Sequence, residues 1–363
     1  MKYFVASERK GTMVMLAVLS ACLYAAAAYV SRQVPQPLLS QKLATSRRMY
    51  EAQRILLAMR SKLKAPVSPD DKLKTGWIGE SVSGLTTEPG SLKAKVSTTN
   101  PNFGAAIVQM LADAGIKKND VVAVGMSGSF PALNAAVIAA AEELGARPIV
   151  ISSVGASQWG ANQPGFTWLQ IEEALLAGGV IRHGSVATGT GGSQGLDPVV
   201  IQNLENEARA SHAKRIDDMD LARSVRERLK VYERESKGQK IALFVNIGGA
   251  AANVGVPISI NPLVVQGVMG AMRNQGVPVI DLRQIKTLCM RYNLPWDPNP
   301  LPQVGQGALY SKRQRSPILV GGCLVVLAVA LWAVIVGRLP GIRRQPLELG
   351  EFINPEVDST RRT

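Results

Sequence analysis

A short turn rich in serine and glycine separates an apolar run from an alanine-rich segment. Residues 121–141 read VVAVGMSGSFPALNAAVIAAA, with Gly125, Ser127, Gly128 and Ser129 near the centre. This pattern predicts a strand, a tight turn and a helix. In that position a serine hydroxyl can act as a nucleophile, whereas hydroxyl and backbone N–H groups together can bind an anion. A turn that only begins the helix is the third interpretation.

The nucleophile hypothesis requires a general base close to Ser127. The sequence contains two histidines, His183 and His212, and His183 stands near the end of a strand predicted over residues 180–185. The usual chain order of nucleophile, acid and histidine fails with Asp197 as the acid, because Asp197 follows His183. A serine-dependent hydrolase or transferase, with Ser127 and His183 as catalytic residues, is therefore the alternative function.

Two further loops of small polar residues follow predicted strands, over residues 180–185 and 241–247. Together they contribute Thr190, Gly191, Gly192, Ser193, Gly248, Gly249 and Asn253. Ligands of open α/β sheets bind beyond the carboxyl ends of the strands. With the turn at Gly125–Ser129, three such loops lie at one edge of the sheet. They predict a shared binding site for an anion.

We expect no metal site and no cofactor. Two distant histidines and Cys289, the single cysteine between the apolar ends, make no cluster of metal ligands. The GTGGSQG loop lacks the Gly-Lys-Ser/Thr of a phosphate-binding P-loop, and the dinucleotide fingerprint is absent.

Alternating strands and helices surround these loops. Besides those over 121–124, 180–185 and 241–247, we predict strands over 148–152 and 278–281. Helices are predicted over 103–114, 132–144, 168–177, within 262–275 and over 282–292. This alternation predicts an α/β fold with a Rossmann-like parallel sheet and helices on both faces, over residues 103–292. Residues 202–236 are expected to be a helical excursion without a strand.

Two long apolar runs bracket the sequence. Residues 12–30 and 317–337 carry no charged side chain, and each can cross a bilayer as a transmembrane helix. The first run could alternatively be a cleaved signal peptide. Basic residues in the tails, 1–11 and 338–363, predict a two-span protein of the cell membrane whose soluble domain is extracytoplasmic. Basic residues on the inner flanks favour the opposite side, so orientation stays open.

Two less regular segments join the spans to the α/β region. Residues 31–102 begin with a basic juxtamembrane helix, predicted over 40–64, and continue as a linker rich in Pro, Gly, Ser and Thr; residues 293–316 are a Pro-rich linker. The helix either lies on lipid headgroups or a polyanion, or packs on the domain, which we favour. Trp77 and Ile78 are expected to dock the first linker.

Positive charge is concentrated between the spans. The chain has a net charge of +14, and residues 31–316 hold 33 basic and 22 acidic residues, a net charge of +11. Such an excess attracts anionic partners. Because the apolar runs place the chain in a lipid bilayer, we expect a polyanion rather than a nucleic acid.

Several segments carry resemblances to known families. The turn Ser127-Gly128-Ser129 resembles that of sugar-isomerase-type phosphosugar-binding domains, in which hydroxyl and amide groups hold a phosphate. The segments AVGMSGSFPALN, VISSVGASQWGANQPGFTW and NIGGAAANVG, with both apolar runs, resemble poly-gamma-glutamate system proteins. That resemblance implies a bacterial cell-envelope protein found with the machinery that makes and exports this capsule polymer.

The expected function is therefore that of an accessory membrane protein of poly-gamma-glutamate synthesis or export. Its partners would be the polymer or the membrane subunits of its synthase. Besides the serine-dependent enzyme, a scaffold without ligand chemistry stays open, because Gly321 and Gly322 allow close packing against a partner's helix.

Overall fold

The computed structural model describes residues 10–29, 32–63, 65–192, 196–216, 220–256, 266–314 and 316–336. The chain divides into two compact units. One comprises residues 1–34 and 313–363, and the other runs from Pro35 to Lys312.

Strands and helices alternate along the second unit. One helix of the first unit precedes it in the chain, and the other follows it. The helices are α1 (Lys10–Tyr29), α2 (Leu39–Lys62), α3 (Leu92–Thr98), α4 (Phe103–Asp113), α5 (Pro131–Glu143), α6 (Trp168–Ala177), α7 (Pro198–Arg209), α8 (Leu221–Ser236), α9 (Ala251–Val254), α10 (Val268–Asn274), α11 (Ile285–Arg291) and α12 (Pro317–Ile335). The strands are β1 (Arg32–Pro35), β2 (Thr86–Glu88), β3 (Val121–Ser127), β4 (Arg147–Ser153), β5 (Ala156–Ser157), β6 (Asn162–Gln163), β7 (Phe166–Thr167), β8 (Ser185–Gly189), β9 (Lys214–Arg215), β10 (Ile241–Ile247), β11 (Val279–Asp281) and β12 (Ser311–Gln314).

Helices α1 and α12 form the first unit. Gly11–Tyr29 and Pro317–Ile335 are each long and apolar enough to cross a membrane, with mean hydropathies of 1.9 and 2.9. The two helices contact each other, and Cys323 Sγ lies 3.7 Å from the carbonyl oxygen of Leu23. A Cβ added at Gly321 or Gly322 would meet nothing within 4 Å, so these glycines lie on an open face of α12.

A six-stranded parallel sheet forms the centre of the second unit, in the order β11-β10-β3-β4-β8-β9. Among the strands of this sheet, β3 comes first in the chain and lies in the interior of the sheet. The next three strands extend the sheet to one side, and the last two extend it to the other. The strand order therefore reverses between β3 and β10, and the region beyond their carboxyl ends, where open α/β sheets bind ligands, is called the crevice below.

The two faces of the sheet are covered by different helices. On one face, α2, α4, α5 and α6 build a large apolar cluster with β3 residues such as Val122 and Val124. On the other face, α8, α9 and α10 pack against Val121 and Ala123. This alternation along β3 is what a strand buried on both faces requires. Helix α5 begins with Pro131 at its first turn and is buried on nearly all sides, which its alanine-rich sequence permits.

The basic helix α2 packs on the domain through α4 and α5. Its buried face carries Met49 and Leu56, together with the charged side chains of Lys42 and Arg60. Tyr50 of the same helix is 55% exposed. Lys42 Nζ donates to the carbonyl oxygen of Leu309, so hydrogen bonding brings a charged residue into the interface.

The segment predicted to be irregular contains helix α3 and strand β2. Trp77 and Ile78 are buried, which confirms that this stretch docks on the domain. Helix α3 was missed because it lies in a stretch rich in Pro, Gly, Ser and Thr. Its N-cap is Ser91, whose hydroxyl accepts a hydrogen bond from the backbone of Ala94.

Most predicted elements of the α/β region are confirmed, but two predictions are wrong. The strand expected over residues 180–185 is β8, Ser185–Gly189. Val180 instead follows the end of α6, and its N–H donates to the carbonyl oxygen of Leu175 in that helix. The excursion over residues 202–236 contains a strand, β9, which pairs with β8 at the edge of the sheet.

Candidate functional site

Three loops meet beyond the carboxyl ends of β3, β8 and β10. Strand register brings Ser127 of β3 beside Ser153 of β4, and Asn246 of β10 beside Gly125. The N–H of Ala252, in α9, donates to the carbonyl oxygen of Gly191. The loops that the sequence singled out therefore lie together at the crevice where the strand order reverses.

Gly248 lies directly against Ser127. A Cβ added at Gly248 would overlap Ser127 Oγ and would lie 3.3 Å from Ser129 Cβ. Gly248 also has a φ of +88°, a conformation that glycine adopts without strain. Two of the loops thus approach each other so closely that only a glycine fits.

Asn253 covers Gly125 in the same way. A Cβ added at Gly125 would lie 2.8 Å from Asn253 Nδ2 and 2.9 Å from Phe244 Cζ. The Asn253 side chain is 1% exposed. The glycine therefore allows an amide group to pack against the sheet.

The loop after β8 closes this side of the crevice. Gly191 has a φ of +100°, and a Cβ there would lie 2.8 Å from Ser153 Cβ. The carbonyl oxygen of Thr190 accepts a hydrogen bond from Gly155. Gly192 also adopts a positive φ, of +110°. Ser193 lies outside the described residues.

Several buried polar atoms near this edge have no hydrogen-bond partner within the part of the chain that the structure describes. They are Ser153 Oγ, Asn246 Oδ1 and both side-chain polar atoms of Asn253. Buried polar groups are nearly always paired, so these atoms are available to bond a ligand, an ion or a water. Ser153, Asn246 and Asn253 belong to three different segments, and their orphaned atoms gather on the α9 side of the crevice.

Gly128 and Ser129 serve packing between loops. A Cβ added at Gly128 would lie 2.9 Å from Ala156 Cβ, and the N–H of Gly128 donates to the carbonyl oxygen of Gly155. Ser129 Oγ accepts a hydrogen bond of 3.1 Å from the backbone of Ser157. Enlarging Gly128 would therefore separate the two loops, whatever the crevice binds.

Ser127 and the predicted base His183 lie at opposite ends of the sheet. Ser127 ends its strand, whereas His183 precedes the first residue of β8 and so lies at the amino end. His183 Nδ1 is 2.8 Å from Glu142 Oε1. The expectation that His183 reaches the binding edge is wrong, because the strand begins five residues later than predicted. Ser127 Oγ instead accepts a weak hydrogen bond of 3.3 Å from the backbone of Ser129.

Glu142 organises the amino end. Its side chain is fully buried, forms an ion pair with Arg48, and accepts hydrogen bonds from the backbone N–H groups of Arg182 and His183. Burial raises the pKa of Glu142, but hydrogen bonds from His183 and Arg48 outweigh it, so the pKa is lowered overall. This cluster stabilises the fold away from the crevice.

Sequence reasoning missed a lysine at the carboxyl end. Lys95 of α3 is 2% exposed, and its Nζ donates to the carbonyl oxygen of Ser129 and lies 2.6 Å from Ser157 Oγ. Burial lowers the pKa of Lys95 to about 7, against an opposing influence of the Glu88 carboxylate. No sequence motif indicates a role for this lysine, because it lies in a segment whose composition predicts a linker.

Charged side chains also stand near the loop after β10. A Cβ added at Gly249 would lie 2.7 Å from Glu88 Oε1, so an exposed carboxylate lies against this glycine. Arg283 forms a fork with Asp281, at 2.7 Å between Nη2 and Oδ2. Asp281 in turn accepts a hydrogen bond from Asn246 Nδ2. The crevice is polar and mixed in charge.

The described ranges contain no group of three or more His, Cys, Asp or Glu side chains placed to hold a metal ion. No known protein family, no characterised protein and no solved structure matches the chain. Function is therefore inferred from the chemistry of the crevice itself.

Proposed function

We propose that this protein is a membrane-anchored binding protein whose crevice between β3 and β10 holds a chain of amides and carboxylates. The observation that carries this proposal is the group of orphaned polar atoms on Ser153, Asn246 and Asn253. Hydroxyl and amide groups donate and accept hydrogen bonds, as an amide-linked ligand requires. The reversal of strand order supports a Rossmann-like interpretation of the fold, in which ligands occupy this position.

Poly-gamma-glutamate is the ligand that we propose. Each of its repeating units presents one amide and one carboxylate, and the net charge of +11 between the spans would attract such a polyanion. We propose a role in synthesis or export of this polymer, with the domain outside the cytoplasm. The polymer's synthase is the alternative partner.

Binding to the full-length protein in nanodiscs of uncharged lipid tests this proposal. Poly-gamma-glutamate should bind more tightly than polyaspartate of equal length and charge, because the crevice reads amide spacing as well as charge. Affinity should fall with added salt for both polymers, but the ratio between them should persist. Equal affinities that fall together would reduce the interaction to surface charge and contradict the proposal.

A serine-dependent hydrolase or transferase is the second candidate. The contact between Lys95 and Ser157 favours it over an enzyme built on Ser127, because Lys95 is a buried amine beside a serine hydroxyl.

A further inference from the structure

We propose that Ser157 and Lys95 form a nucleophile and general-base pair that cleaves a carboxylic amide. Ser157 Oγ and Lys95 Nζ are 2.6 Å apart, which is a hydrogen-bonding distance suited to direct proton transfer. Lys95 belongs to the short helix α3 and Ser157 to the two-residue strand β5, on the side of the sheet where the three loops meet.

Lys95 is buried without a paired carboxylate among the described residues, although an aromatic ring and a carbonyl oxygen face its amine. Lys95 is 2% exposed, and among the described carboxylates Glu88 acts on it electrostatically without forming an ion pair. Its Nζ lies 3.9 Å from the centroid of the Phe130 ring, and it donates to the carbonyl oxygen of Ser129. In the structure Lys95 Nζ donates to both the carbonyl oxygen of Ser129 and Ser157 Oγ; once neutral, the amine keeps the first bond and has a lone pair that can accept the proton of Ser157.

Burial supplies the corresponding protonation state. It lowers the pKa of Lys95 to about 7, so a large fraction of the amine is unprotonated at neutral pH. An ordinary lysine would be almost fully protonated there and could not accept a proton.

The position of Ser157 is fixed by its backbone. Its N–H donates to Ser129 Oγ at 3.1 Å, and β5 pairs with β2 so that Ser157 lies opposite Glu88. Glu88 is exposed, so the two-stranded ribbon that carries Ser157 reaches the surface. Ser157 itself is 4% exposed.

The proposed reaction uses only a substrate amide and water. Ser157 Oγ attacks the carbonyl carbon while its proton passes to Lys95 Nζ. The C–N bond breaks, and Lys95 returns that proton to the leaving amine. Water then attacks the acyl-serine ester, giving a proton to Lys95, which passes it to Ser157 Oγ as the acid leaves. That the amide belongs to a gamma-glutamyl chain rests on the proposed function.

Labelling of the full-length protein in nanodiscs with a fluorophosphonate tests the pair without any polymer. Ser157 Oγ would displace fluoride from phosphorus, with Lys95 taking the proton, and mass spectrometry should locate the label on Ser157. Ser157→Ala should abolish labelling. Lys95→Met and Lys95→Arg should slow it at least about a hundredfold, because neither side chain accepts a proton at this pH. The rate for the unaltered protein should rise with pH through about 7.

Ser236→Ala is the matched control. Ser236 is a buried serine at the end of α8, near the amino end of the sheet, and its substitution should leave labelling unchanged. Absence of labelling in the unaltered protein, a label on another serine, or an unchanged rate in Lys95→Met would each overturn the inference. The unaltered protein provides the site and pH profile even if a variant fails to fold. Polymer binding by Ser157→Ala is measured separately, so the failure of one proposal is distinguishable from that of the other.

Discussion

The backbone of Gly248 lies directly against the hydroxyl of Ser127, with no room for a side-chain atom between them. This contact joins the loops that follow β3 and β10. We predict that Gly248→Ala destabilises the protein by about 2–4 kcal/mol, because it combines backbone strain with displacement of Ser127.

Gly276→Ala is the matched control for Gly248. Gly276 has a φ of +73°, but a Cβ there would meet nothing within 4 Å. Gly276→Ala should therefore lower the free energy of unfolding by only about 1 kcal/mol, through backbone strain alone. Thermal unfolding of both variants measures the difference, and equal losses would show that the Ser127 contact contributes nothing.

Ser153→Ala should weaken polymer binding without reducing stability. Its hydroxyl is buried and has no partner among the described residues, so the free protein loses no hydrogen bond. We expect the free energy of unfolding of this variant to lie within about 0.5 kcal/mol of that of the unaltered protein. Its Kd for the polymer should be roughly tenfold higher, which corresponds to one lost hydrogen bond to the ligand.

The neighbouring Ser152→Ala is the matched control, for which we expect lower stability and unchanged binding. Ser152 Oγ accepts from Trp168 Nε1 at 3.1 Å and lies 2.5 Å from Ser185 Oγ, on the other face of the sheet. Its loss should destabilise by about 1–3 kcal/mol and leave polymer affinity unchanged. A destabilised Ser153→Ala variant, or weaker binding by Ser152→Ala alone, would contradict the assignment of the crevice.

Glu172 should make stability depend on pH. Its carboxyl group accepts hydrogen bonds from the backbone and hydroxyl of Ser185, and burial raises its pKa to about 7. The folded state therefore binds this proton more tightly than the unfolded state. The resulting stability is fully present below about pH 4.5 and is lost as pH rises through 7, by about 3 kcal/mol in all.

Glu172→Gln should remove that dependence, because the amide stays neutral and still bonds Ser185. Unfolding measured at intervals from pH 4.5 to 8.5 should give a flatter curve for this variant. Glu173→Gln, at the exposed neighbouring position, should keep the original slope. Parallel curves for Glu172→Gln and the unaltered protein would contradict the prediction.

Glu142→Gln should be strongly destabilising. It removes the buried partner of Arg48 and weakens the contact with His183 Nδ1. We predict a loss of about 3 kcal/mol in the free energy of unfolding. Glu143→Gln, whose partner is also Arg48 but whose side chain is 24% exposed, should lose less than about 1 kcal/mol. Similar losses would contradict the central role of Glu142.

The sequence predicted the α/β region well where apolar periodicity was strong. Helix α6 and strand β10 match their predicted bounds, and the glycine loops meet as expected. Strand β8 was misplaced because the apolar Val180 packs with the end of α6 rather than in the sheet. Periodicity cannot distinguish those two environments in so short a run.

The residues of the catalytic proposal could not be predicted in this way. Lys95 and Ser157 are 62 residues apart and come from short elements without a periodic pattern. Only the packing of the two loops at Gly128 and Gly160 brings them together, where a Cβ on Gly160 would lie 3.0 Å from Ser129 Cα. Burial of the lysine is a tertiary property, so its lowered pKa has no local signature.

The binding of poly-gamma-glutamate by Ser153→Ala and Ser152→Ala, measured in nanodiscs beside polyaspartate, tests the central claim most directly. The crevice predicts that the preference for poly-gamma-glutamate is lost in Ser153→Ala and kept in Ser152→Ala. A preference that survives in Ser153→Ala, or that the unaltered protein never shows, would contradict it.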